Sequence, residues 1–345
     1  MRLIRLFIWA AALVVAESGN FESGLSLYRS GQLRKALERF GESEKAGEDN
    51  FLRGFYQGVC LAKLGDFPAA SARLLAYVSA QPSDPHGWFW LGRAQLLRKQ
   101  FTEARGSIQR AIDLDPKSFE SYRTLGEIEL ELRNNDAAYR AWIAANKLNP
   151  RDPQTTYYLG RLFFEADFLD QAASWLRETL RLSPTHFSAM TYLALCAEHL
   201  GESGGGGVGD NETAIRLYRE AIRQSKLQNM PYAWAYVSYA KLLRQLGDDG
   251  QALRILEQSE KLCPEAHGLA ILGQLLMAQN QKARAEPVLR RAIEMDPGIS
   301  EAHYRLSVLL RSSGRIEEAQ NEMKRFEEAK QLEEKTRNKI SAIRK

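Results

Sequence analysis

Residues 85–118 read PHGWFWLGRAQLLRKQFTEARGSIQRAIDLDPKS, and residues 119–152 read FESYRTLGEIELELRNNDAAYRAWIAANKLNPRD. Laid over one another, they agree at Leu91 and Leu125, Gly92 and Gly126, Ala104 and Ala138, Ala111 and Ala145, and Pro116 and Pro150. The same step of 34 residues links Pro82, Pro116, Pro150 and Pro184, and it links Gly58, Gly92, Gly126 and Gly160. It also links Ala70, Ala104, Ala138 and Ala172. A period of this length marks stacked supersecondary units, each a helix, a turn and a second helix. The core of such an array runs along the stack and grows with each unit, so 345 residues do not imply two or three globular domains.

Each repeated residue type has a physical task. The glycines and alanines are small because two helices cross closely at them. Trp88 and Leu91, with their equivalents, lie three apart on the buried side of a first helix. Each proline closes a second helix and turns the chain into the next unit.

In residues 85–118 the marks are Trp88, Leu91, Gly92, Ala104, Ile108, Ala111 and Pro116. In 119–152 they are Tyr122, Leu125, Gly126, Ala138, Trp142, Ala145 and Pro150, and in 153–186 they are Leu159, Gly160, Phe163, Ala172, Leu176 and Pro184. This is the pattern W-x2-L-G-x2-Y followed by A-x3-F, A and P, and the chain resembles the tetratricopeptide-repeat family across 17–333. The resemblance implies an all-α, right-handed α-α superhelix of about nine units. They are phased 17–50, 51–84, 85–118, 119–152, 153–186, 187–232, 233–265, 266–299 and 300–333. The first and last are the weakest copies, as capping repeats are. Residues 334–345 are read as the charged, solvated end of the last helix, with a partner-binding coiled-coil tail as the alternative. Lys324 with Glu328, Lys330 with Glu334, and Glu333 with Arg337 are spaced to pair along that helix.

The sixth unit carries a Gly-rich insert, Gly201 to Gly209, expected in the turn between its helices. It contains a literal GxGxxG at Gly204, Gly206 and Gly209, but it follows no strand, so it is read as an edge loop and not as a nucleotide site. Asp210 or Asn211 is placed to cap the next helix.

The N-terminus reads as a targeting segment. Arg2 and Arg5 precede an apolar run from Leu6 to Val15, and Val14-Val15-Ala16 offers small residues ahead of Glu17. A signal peptide at 1–16, cleaved after Ala16, is expected, which would place the mature chain in the periplasm or outside the cell. An uncleaved membrane anchor is the alternative, although the run is short for a span. With no cysteine near the cleavage point, no lipid anchor is expected.

Composition narrows the function classes. Charged residues are 26% and apolar residues 44%, a core-forming balance. A net charge of +4, spread along the chain, does not call for a nucleic-acid partner. Cys60, Cys196 and Cys263 have no metal-ligand spacing, and Cys60 and Cys196 occupy small apolar positions of the repeat, which makes them buried thiols. There is no HExxH, CxxC or nucleophile elbow, and His86, His186, His199, His267 and His303 have no repeating partner. No catalytic residue, metal or cofactor is expected.

Function is therefore expected on a surface. In the family the first helices line a concave groove, and the resemblance places Phe55, Phe89, Arg93, Tyr157, Arg161, Phe164, Trp234, Lys241 and Arg244 on it as partner-binding residues. The same positions hold Val59, Arg123, Glu127, Val237 and Ala270, and Leu52, Val59, Leu96 and Leu97 extend an apolar strip. Aromatics beside arginines are the residues that recognition surfaces favour. The expected role is a non-catalytic scaffold of the cell envelope or secretory space that binds a peptide or protein. A carbohydrate or cell-wall binder using the groove aromatics is the alternative.

Overall fold

The computed structural model describes residues 19–48, 51–203 and 210–343. The expected signal segment and the glycines from 204 to 209 lie outside them. Among the described residues there are eighteen α-helices and no strand. They alternate as first and second helices of nine units: α1 (Asn20–Arg29) and α2 (Leu33–Lys45), α3 (Leu52–Leu64) and α4 (Phe67–Ala80), α5 (Pro85–Leu97) and α6 (Phe101–Leu114), α7 (Phe119–Glu131) and α8 (Asn135–Leu148), and α9 (Pro153–Glu165) and α10 (Leu169–Leu182). The remaining four are α11 (Phe187–Ser203) and α12 (Asn211–Leu227), α13 (Ala233–Gln245) and α14 (Asp249–Leu262), α15 (Ala266–Ala278) and α16 (Lys282–Met295), and α17 (Ser300–Ser312) and α18 (Ile316–Ile343).

The repeated residues do what their types require. Pro82, Pro116, Pro150 and Pro184 each fall two residues beyond the end of a second helix. Ala70, Ala104, Ala138 and Ala172 are wholly buried. Within a unit, the first-helix glycine faces a large residue sixteen positions further on. A Cβ added at Gly24, Gly58, Gly92 or Gly273 would stand between 2.5 and 2.7 Å from Phe40, Leu74, Ile108 or Leu289. At Gly126 it would run into the Trp142 indole. Helix starts are capped by side chains at Asp66, Asp84, Ser118, Asp210, Asp248 and Glu265, so Asp210 takes the capping role.

Among the described residues, the turn inside a unit takes one left-handed residue in eight of the nine units. Glycine supplies it at Gly31, Gly65, Gly247 and Gly314. At the equivalent places Lys99, Arg133, Asp167 and Asn280 adopt it at φ between 58° and 66°, at a cost of about 1–2 kcal/mol each.

The chain divides into two compact units, one up to Leu162 and one from Phe163. In the first, α1, α3, α5 and α7 lie side by side as first helices, each touching the next. Its core is a series of small clusters, with Phe21, Phe40 and Cys60 in one, Leu74 and Leu91 in the next, and Ile108 and Ile128 in another. Trp142, wholly buried, donates from Nε1 to the Arg123 carbonyl at 3.1 Å and stacks on Tyr158 at 5.1 Å. Arg123 reaches across to Asp152 at 3.0 Å, and Asp152 also accepts from the Thr155 amide and hydroxyl at the start of α9. One carboxylate thus caps α9 and ties it to α7. Arg123 was expected on the groove and instead serves this joint.

In the second unit a continuous cluster runs from Met190 to Ala319 and includes Tyr218, Tyr236 and Tyr239. The Tyr239 hydroxyl donates to Gln251 at 2.7 Å and accepts from Arg219 at 2.8 Å. At its end α18 is pinned to α17. His303, buried, places Nδ1 2.7 Å from Glu322 and Nε2 3.1 Å from the Pro297 carbonyl. Glu333 accepts from the Ser300 amide at 3.2 Å and hydroxyl at 2.9 Å. It caps α17 rather than serving only its own helix face, because the helix end beside it leaves donors open.

One boundary differs from expectation. The helix α11 continues through Gly201 to Ser203, so the insert's first glycine is helical and not in the turn; glycine inside a helix costs only about 1 kcal/mol. The last helix extends to Ile343. Cys60 and Cys196 are buried, and burial pushes their thiols up to about 11 and about 12.

The close crossing can be tested against an exposed control. Gly126→Ala should lower unfolding free energy in urea by about 2 kcal/mol, because overpacking against a rigid indole outweighs the helix propensity gained. Gly106→Ala, whose added Cβ meets nothing within 4 Å, should raise it by about 1 kcal/mol. Equal effects at the two sites would refute the close-crossing account.

Candidate functional site

One row of charge crosses the first unit. Arg93 on α5, Glu127 on α7 and Arg161 on α9 occupy the same register in three successive repeats. All three are half-buried. Beside them is a cavity of about 320 Å³ lined by Leu96, Leu97, Lys99, Phe101, Glu127, Leu130, Glu131, Tyr158 and Arg161. Its lining mixes four apolar side chains, Leu96, Leu97, Phe101 and Leu130, with two acids and two bases. The Arg93 guanidinium lies 6.0 Å from the ring centres of Phe89 and Trp90, which hold it by cation–π attraction.

Glu127 has the perturbed carboxyl of this site. Burial is the largest influence and raises its pKa; a hydrogen bond from Tyr158 and the charges of Arg93 and Arg123 oppose the rise without cancelling it, and Asp152 adds to it. The same burial, with Glu127 beside it, raises the Tyr158 hydroxyl.

The predicted groove residues meet different fates. Arg93 and Arg161 share the row, and Phe89, half-buried, meets Trp90 at 5.8 Å. Phe55 is half-buried and packs on Tyr56 and Tyr77 at 5.2 and 5.4 Å. Tyr157 is only 9% exposed, and Val59 is wholly buried, so these two serve the core more than an open face. Val237 and Ala270 are buried in the same way.

In the second unit Phe164, Tyr192 and Trp234 form an aromatic cluster. Phe164 meets Tyr192 edge-on at 5.3 Å, and Tyr192 meets Trp234 edge-on at 4.5 Å. Trp234 remains 36% exposed. Lys241 is exposed, and Arg244 lies 3.8 Å from Asp249. Tyr158, Lys99 and Glu131 were missed as site residues. Lys99 sits in a turn and Tyr158 one position past the expected groove face, so neither has a helical-face signal. Among the described residues no group of three His, Cys, Asp or Glu stands close enough to hold a metal, and no helix is long and apolar enough to cross a membrane.

The state of Glu127 carries a stability consequence. Its folded pKa lies above the ordinary 4.5, so the fold favours the protonated form and is weakened as pH rises from 4.5 through the raised value. Glu127→Gln keeps an acceptor for Tyr158 without the charge. It should be more stable than the parent at pH 7, with the advantage vanishing as pH falls to 4.5; thermal unfolding of both across that range tests this. An advantage that stays constant with pH would show that Glu127 is not the titrating group.

The tetratricopeptide-repeat family model matches residues 57–119, 123–187 and 272–327, and a second model of the same repeat matches 233–258. Anaphase-promoting complex subunit 3 of Schizosaccharomyces pombe is 23% identical over 206 residues, covering 59% of this chain and 29% of that protein. The BBSome complex member BBS4 of Bos taurus is 24% identical over 244 residues, covering 70% of this chain and 44% of that protein. The chain thus spans less than half the length of these relatives. Among solved structures, a tetratricopeptide repeat protein from Parabacteroides merdae superimposes with a TM-score of 0.57 at 18% identity, over 75% of this chain and 98% of that one. The APC/C hetero-tetramer Cut9–Hcn1 gives 0.60 at 17% identity, over 81% of this chain and 52% of that one. Helical pairs, their 34-residue marks and the matched segments lead to one conclusion: the chain belongs to the tetratricopeptide-repeat family.

Proposed function

We propose that the protein is a non-catalytic interaction scaffold that holds a peptide or protein partner on the inner face of its first helices. The observation that carries this reading is the cavity between α5, α7 and α9. It brings apolar side chains together with charged groups at one register, a combination that packing alone does not call for. Relatives named as subunits of the anaphase-promoting complex and the BBSome support an assembly role. The aromatic cluster favours a protein partner over a sugar. Stacking on a sugar needs open ring faces, whereas Tyr192, Phe164 and Trp234 meet one another edge to face.

We further propose that the scaffold works in the cell envelope or secretory space. The support is the sequence of residues 1–16, with its basic start, apolar run and small residues before Glu17.

Two experiments test these readings. Residues 17–345 should capture a partner from the native envelope fraction, and the double variant Phe89→Ala with Arg161→Glu should lose it while circular dichroism shows unchanged helix content. Retention of the same proteins by both forms would put the partner elsewhere on the molecule. For the compartment, N-terminal sequencing of protein recovered from the native cell should begin at Glu17. A protein that begins at Met1 in the membrane fraction would favour the anchor, and one that begins there in the cytosol would remove the envelope reading.

A further inference from the structure

We propose that His186 is a titratable helix cap: while its ring is neutral it holds the start of α11, and through it one side of the aromatic cluster in the second unit, and it releases them when the ring takes up a proton. This goes beyond the scaffold reading and does not depend on which partner is bound.

The repeat places a side-chain cap at one register. Asp84, Ser118, Asp152 and His186 follow one another at the 34-residue step. Asp84 accepts from the His86 amide at the start of α5, Ser118 from the Ser121 amide at the start of α7, and Asp152 from the Thr155 amide at the start of α9. His186 fills the same place ahead of α11. Its Nδ1 accepts from the Ala189 amide at 3.2 Å, and its carbonyl accepts from the Met190 amide at 3.2 Å. Those are the two bonds of a helix cap: a side-chain atom takes an orphan amide, and the residue's own carbonyl takes the first bond of the helix.

Histidine differs from the other caps of the row because its acceptor can be lost near neutral pH. A ring nitrogen accepts only while it carries a lone pair, and the protonated ring donates from both nitrogens. A proton on Nδ1 would set two N–H groups against each other. It would also put a positive charge at the positive end of the α11 dipole. The half-buried ring already resists that charge, since burial is the largest influence on its pKa and lowers it below the usual 6.5, with the residue's own backbone opposing the shift.

Charges on the elements packed against α11 are engaged elsewhere. Arg181 bonds Glu178 on α10, Arg223 bonds Glu220 on α12, and Lys226 of α12 bonds Gln258. Gln228, which is neutral, donates to the Thr185 carbonyl at 2.8 Å. The titratable group brought in ahead of α13 is the Tyr232 phenol, which lies against Phe187. Among the described residues no side-chain charge contributes to the His186 shift.

The cap reaches the aromatic cluster through the next residue. Phe187 lies on Tyr232 at 5.3 Å, Tyr232 meets Trp234 at 6.3 Å, and Trp234 meets Tyr192 of α11 at 4.5 Å. Fraying of the first turn of α11 withdraws Phe187 from this chain of rings. The folded state binds the His186 proton more weakly than the unfolded state does. The hold is therefore complete above 6.5 and is lost as pH falls from 6.5 through the lowered folded value.

Hydrogen exchange of the full chain, read by mass spectrometry at about pH 7.5 and about pH 5.0 and corrected for intrinsic rates, tests this. At the lower pH the amides of residues 189–192 should lose protection about fivefold to tenfold, the effect of a lost cap with an adverse dipole. The first turn of α7, capped by Ser118, should lose none. His186→Asn supplies an uncharged cap and should remove the acid loss at α11, whereas His186→Ala should lower protection there at both pH values. Protection at α11 that is unchanged in acid, an equal loss at α7, or an acid loss that persists in His186→Asn would overturn the inference. Comparison of α11 with α7 inside the parent chain decides it even where a variant does not fold.

Discussion

The close approach of two helices inside each repeat governs the rest of the molecule. A glycine on the first helix lets a phenylalanine, leucine, isoleucine or tryptophan of the second lie against bare backbone. That contact sets how deeply each pair is packed, and it turns one side of the first helix inward. The position after that glycine lies about a quarter turn further round the helix, and its burial differs from copy to copy. Arg93, Glu127 and Arg161 stand there because the crossing needs nothing from them.

Joints between neighbouring repeats carry the second layer of constraint. Asp152 starts α9 and holds Arg123 of the preceding repeat, so one side chain sets both a helix end and an inter-repeat contact. At the C-terminal end no further repeat follows α18 among the described residues. There His303 with Glu322, and Glu333 with Ser300, supply polar contacts where the other repeats use apolar neighbours. Arg315, bonded to both Glu286 and Glu318, adds an exposed link between α16 and α18. Each surface pair of this kind contributes about 1 kcal/mol or less, so burial of the repeated alanines and leucines remains the main stabilising influence.

The candidate site draws its character from a conflict. Glu127 gains from Arg93, Arg123 and Tyr158 and loses more from desolvation. A half-buried acid between two arginines is a poor choice for stability alone. Its burial beside Tyr158 sets it apart from the exposed acids of the chain.

Sequence alone determined the repeat, its length, its phase and the small residues at its crossings. Those features depend on contacts within one unit, and the same unit recurs, so period and spacing reveal them. The prolines were legible for the same reason, and capping chemistry narrowed the start of α12 to Asp210 or Asn211, of which the structure uses Asp210. Tertiary structure decided which groove positions stay open. Val59, Tyr157, Val237 and Ala270 share the register of Arg93 or its neighbours and yet are buried. Their exposure depends on the side chains of the adjacent repeats, which differ from copy to copy. Arg123 became a rivet because Asp152 starts the next helix beside it, and Lys99 joined the cavity because a left-handed turn carried it there. Local periodicity records the backbone path, whereas burial and charge are summed over neighbours that no single repeat contains.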